Sequence, residues 1–164
     1  MNRIVFSVLV LIFPILSFAE EVPSDISEAY YELRPVVIKF QQSGDLAPLA
    51  YSINMKGELT GDALINKEGE EDISMEFALS HFQKKYQESA SKGSIKLAAV
   101  FFHGNAQGAS VKIVNKISEV NAFIAYIESK ASSYTVITEY SCDESEKCTY
   151  QKPKFFKSSP QYFR

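Results

Sequence analysis

Tryptophan is absent from these 164 residues, and histidine and cysteine occur only twice each. A zinc site takes three or four suitable donors, and so sparse a set supplies none that is recognisable. The Gly-x-Ser-x-Gly elbow, the His-Glu-x-x-His helix and the phosphate-binding Walker loop are missing too. Gly104 and Gly108 lack the Gly-x-Gly-x-x-Gly pattern, so GNAQG reads as a turn. Glu68, Glu70, Glu71 and Asp72 lack the ligand spacing of an EF-hand loop. There is no excess of cations either. Lys plus Arg is 17 against 20 Asp plus Glu, a net charge of -3, which argues against a phosphate-backbone binder. No catalytic set, metal site or cofactor is expected, and no nucleic-acid partner.

What is present starts with MNRIVFSVLVLIFPILSFAEE. Arg3 is followed by an uncharged, mostly apolar run from Ile4 to Ala19, and Ser17 and Ala19 place small residues before Glu20. This is the pattern of a secretory signal peptide, residues 1–19, cut after Ala19. A retained anchor is the alternative, but the run is short for a bilayer roughly 30 Å thick and Pro14 interrupts it. The expected product, residues 20–164, is a single soluble domain in the periplasm or outside the cell. Without Arg3 it has 16 basic and 20 acidic residues. No second long apolar segment follows, so no stable membrane insertion is expected after cleavage.

An oxidising compartment changes the meaning of Cys142 and Cys148. Five intervening residues suit a clip across two antiparallel strands better than a Cys-x-x-Cys redox unit. A structural disulfide is expected there. The acids Glu139, Asp143, Glu144 and Glu146 around it read as a solvated loop tip.

Periodicity supplies the fold class. Ile26, Ala29, Leu33, Val37 and Phe40 mark a first helix, with Asp25 and Glu28 as a capping box and Gly44 as a stop. Pro35 should kink or break it. LAYSINM and ELTGDALIN form a hairpin about Lys56-Gly57, with Leu49, Tyr51, Ile53, Met55, Leu59, Ala63 and Ile65 inward and a bulge at Gly61. Lys67–Asp72 is an acidic connection. The strongest helix runs from about Ser74 to Ser91 on Met75, Ala78, Leu79, Phe82 and Tyr86, and Gly93 ends it. IKLAAVFFH then reads as a central strand, both faces partly covered, the first of three to five strands. The prediction is an α+β fold in the order helix, hairpin, helix, strands. A mainly antiparallel sheet with both helices on one face satisfies it. The order permits a profilin-like or cystatin-like layout, which concerns geometry and not function.

Candidate functional residues are few. The end of the chain carries Phe155, Phe156, Tyr162 and Phe163 among Lys152, Lys154, Lys157 and Arg164. Such rings either fill gaps across the sheet or, with Arg164, anchor a partner. His81, beside the apolar stripe of the second helix, and His103, at the end of the central strand, form a weaker polar site. Glu28 and Glu32, one helical turn apart, are solvated unless a cleft brings them about a sugar. The reading that follows is a small exported protein that binds another extracytoplasmic protein, as an inhibitor or neutralising partner. The alternative is a small enzyme or ligand carrier with its site between the main helix and the sheet.

Overall fold

The computed structural model describes residues 21–42, 47–64, 73–114, 119–144 and 147–164. The expected leader and cleavage site, the expected Gly44 stop and the acidic connection 67–72 lie outside the described residues. Helix α1 spans Ser24–Gln42, and the hairpin is β1, Leu49–Asn54, and β2, Leu59–Ala63. Helix α2 is Met75–Ser91. Then come β3 (Ile95–Gln107), β4 (Ser110–Ile113), β5 (Ala122–Ser129), β6 (Ser133–Cys142), β7 (Cys148–Tyr150) and β8 (Lys154–Lys157). This is the expected α+β order. The strands pair antiparallel in one curled sheet, β2-β1-β3-β5-β6-β7, with β4 beside β3 and β8 beside β6.

The two helices do not share a face. Leu97, Ala99 and Phe101 of β3 pack with Ile26, Tyr30, Leu33 and Val37 of α1. Ala98 and Val100 pack with Ala78, Phe82 and Tyr86 of α2. Neighbouring strand residues point to opposite faces, so the helices cover opposite sides of the sheet. The central strands are therefore buried on both sides, which is why IKLAAVFF carries almost no polar residue. Each large side chain buried there contributes about 1.5–3 kcal/mol of hydrophobic free energy.

Local chemistry fixes the element ends. The Ser74 hydroxyl accepts from the Phe77 amide at 3.2 Å and caps α2. The Ser94 amide donates back to Ser89 O at 3.0 Å across Gly93, whose φ of 65° closes the helix. Helix α1 differs from expectation at two points. It starts at Ser24, and the Asp25 carboxylate accepts from the adjacent Ile26 amide instead of closing a box with Glu28. Nor does Pro35 break it, for the helix runs on to Gln42. The proline stands on the exposed side, where water can take the carbonyl it leaves unpaired.

Three strand expectations are also corrected. GNAQG is not a turn: β3 continues through Gln107 and reverses at Gly108. Gly61 is in regular register opposite Tyr51, and the irregularity falls at Ile53/Asn54 against β3. Met55, Leu59 and Ala63 do not face the core, and Ile65 lies outside the described residues. Met55 and Leu59 are 64% and 45% exposed, because Met55 stands in the turn and Leu59, like Ala63, on the outermost strand. The Asn54 side chain organises that turn, its oxygen accepting from the Lys56 and Glu58 amides at 2.9 and 3.0 Å.

Candidate functional site

The two histidines do not converge. His103 is buried on β3, on the face packed by α1, with Nδ1 3.1 Å from the Tyr140 hydroxyl and its ring against Phe123. His81 is exposed on α2, across the sheet, beside Phe77 and Phe82. A shared site between the main helix and the sheet is thereby excluded for this pair. Among the described residues, no three His, Cys, Asp or Glu side chains group as metal ligands.

Cys142 and Cys148 are bonded as expected, directly opposite each other in the β6–β7 register. Beside this clip, Arg34 of α1 stands 5.9 Å above the Tyr150 ring, and Tyr140 packs on Tyr150. Tyr30 lies deeper, hydrogen-bonded to Thr138 and stacked near Phe101 and Phe123. Burial pushes its phenol up to about 12, against the opposing pull of Thr138 and Arg34. Burial also raises Tyr140, with the neighbouring Tyr150 adding to it. These phenols stay protonated at physiological pH and offer no base.

The aromatic end of the chain turns inward. Phe155 and Phe156, on β8, are half-buried against opposite faces of the sheet. Tyr162 is 3% exposed under α2, and Phe163 is half-buried beside it. Arg164 is exposed, its Nε donating to Pro160 O at 2.9 Å. The cause is Glu128, which the sequence reading passed over. Its carboxylate, 1% exposed on β5, accepts from the amides of Gln161, Tyr162 and Phe163. A lone acid inside AFIAYIES was the available signal, since a buried carboxylate demands donors.

The opposite face of the sheet carries a cleft of about 200 Å³, lined by Asp25, Glu28, Ala29 and Glu32 of α1, Ile53 of β1, and Lys96 and Leu97 of β3. It brings Glu28 and Glu32 together over an apolar floor, though it is smaller than the usual 300–1,000 Å³ of a small-molecule pocket. The surface continues beyond it. At helical spacing from Ala29 and Glu32, the same flank of α1 presents Val36 and Phe40, each 40% exposed. Leu59 lies directly opposite Ile53, and Gly61 and Ala63 follow on the same face of β2. All three are exposed. Strand β2 is the end of the sheet, and among the described residues nothing pairs with its outer edge.

No helix among the described residues is long and apolar enough to cross a membrane. No family model matches the chain, and neither a curated protein nor a solved structure matches it.

Proposed function

We propose that this chain is a small exported protein that binds another protein of the same compartment, and that the contact is made at the β2 edge and the adjoining flank of α1. The observation that carries the reading is that edge: five residues of open strand that carry exposed Leu59, next to a cleft from which exposed Val36 and Phe40 continue along α1. An unpaired strand is a template for another chain, and main-chain bonding to it supplies affinity while side-chain pockets supply specificity. The cleft at one end, with three carboxylates and one lysine, favours a partner strand flanked by a basic residue. The leader pattern and the clipped loop agree with an oxidising destination. The aromatic end, whose Tyr162 is internal, is not the contact surface in this reading.

A photo-crosslinking residue in place of Leu59, in the full chain expressed in its native cells, tests the surface. One adduct of defined mass is expected, absent when the probe replaces exposed Lys130 in the β5–β6 turn. No adduct at Leu59, or the same adducts at both positions, overturns the proposal. Mass spectrometry of the purified product should give a chain that begins at Glu20.

A further inference from the structure

We infer that the groove beneath α2 is a recognition site for the aromatic end of a polypeptide, filled in cis by residues 158–164 and able to take the same segment from a second copy of this chain. Pairing of the last strand with β6 ends at Lys157. Beyond it the segment is held by a different set of contacts. The Ser158 amide donates to Ser133 O at 2.9 Å, and the Ser133 hydroxyl meets the Ser158 hydroxyl at 3.0 Å and Ser159 O at 3.3 Å. Glu128 then takes three successive amides. Oε2 accepts from Gln161 at 2.6 Å and Oε1 from Phe163 at 2.6 Å, while Tyr162 N stands 3.1 Å from both oxygens. The Gln87 side-chain Nε2 donates to Gln161 O at 2.8 Å.

A carboxylate that reads consecutive main-chain N–H groups recognises backbone without regard to side chain, as backbone nests do for anions. Selectivity comes from the ring. Tyr162 fills a pocket with Ala98, Val100 and Tyr86, edge-on to the last at 5.8 Å. Among the described residues no cation pairs with Glu128, and apart from the tail amides its one side-chain donor is the Ser133 hydroxyl at 3.5 Å, so an empty groove would leave the carboxylate short of donors. The site therefore demands an occupant. The tethered tail supplies one at an effective concentration of order millimolar. A second copy carries the identical segment, which is the condition for a swapped dimer.

The test uses the full chain carrying Tyr162→Ala and a fluorescent peptide of residues 154–164. Saturable binding is expected, about tenfold or more tighter than to the wild-type chain, whose own tail competes. The peptide with alanine at the tyrosine position should lose it. Adding Glu128→Gln to the acceptor should weaken it about tenfold. Equal binding by both chains, or binding indifferent to the peptide's tyrosine, overturns the inference. If Tyr162→Ala fails to fold, hydrogen exchange of the wild-type chain decides. The amides of Gln161, Tyr162 and Phe163 should then open about a hundredfold or more often than those of Ile124 and Ile137. Exchange of all five only on global unfolding shows a tail inseparable from the core, and the inference falls.

Discussion

Gly104 and Gly93 are glycines for different reasons, and their alanine variants separate the two. A Cβ on Gly104 would stand 2.9 Å from Ile124 Cδ1 and 2.9 Å from Lys112 O. The second obstacle is backbone and cannot rotate away, so Gly104→Ala should destabilise by about 1–3 kcal/mol through overpacking. Around Gly93 there is open space, and only its φ of 65° resists a side chain. Gly93→Ala should cost about 1 kcal/mol. Urea melts of both variants check the ranking, and a Gly93 variant less stable than the Gly104 variant contradicts it. Neither effect depends on the residue's own neighbours in sequence alone. Gly-Asn at 104–105 reads as a turn because the crowding comes from β4 and β5, which the local pattern does not contain. Glu128 was hidden in the same way. Its main-chain donors lie more than thirty residues further on, and no period links them.

At the scale of elements, apolar spacing was the reliable signal wherever one face of a helix meets the sheet. Ala78, Phe82 and Tyr86 are buried as their spacing requires, and Ser74 and Gly93 bound α2 within a residue. The hairpin was less legible, because alternation cannot tell an outer strand from an inner one. Leu59 has the residue type of a core position and lacks only a helix above it. Pro35 shows a local rule overridden. Eleven of the residues of α1 precede it and seven follow, and Tyr30, Leu33 and Val37 bury on both sides of it, so tertiary packing outweighs the lost bond. Pro35→Ala restores a donor for the Tyr31 carbonyl, a gain of about 3 kcal/mol by propensity. It also loosens the unfolded chain by about 1 kcal/mol. A net stabilisation of about 2 kcal/mol is expected in urea melts, and a loss would show that α1 is shaped around the proline. The Cys142–Cys148 clip is a smaller matter. In the chain-entropy account a loop this short stabilises by about 2 kcal/mol. Its reduction should lower the melting temperature while leaving the circular dichroism of the helices unchanged below the transition.

For the whole molecule, the decisive feature is that one sheet serves two cores. The unbroken run from Leu97 to Phe102 announced a strand covered on both sides, but the stripes of α1 and α2 carry no address. Either could lie on either face by composition, and only the path of the chain assigns them. The consequence is thermodynamic coupling between the faces, and buried phenols make it measurable. Tyr30 lies on the α1 side, while Tyr86 and Tyr162 lie on the α2 side. Burial raises all three above the ordinary 10.0, with Asp62 adding to the rise at Tyr86 and Glu128 at Tyr162. The folded state thus holds these protons more tightly than the unfolded chain. Below pH 10 that preference is fully present as stability, and it is lost as pH rises. Each phenol should then remove about 1.4 kcal/mol per pH unit, and for Tyr30 the loss ends near pH 12, where the folded form ionises too. Because β3 and β5 belong to both cores, ionisation on one side should unseat the other. Tyrosinate absorbance of Tyr30 and Tyr86, which lie outside the separately opening tail, and far-ultraviolet circular dichroism should therefore change together, in one step above pH 10. Removing Tyr30 by Tyr30→Phe should make the step shallower without splitting it. Two resolved steps, with native dichroism surviving the first, would mean that the faces unfold independently.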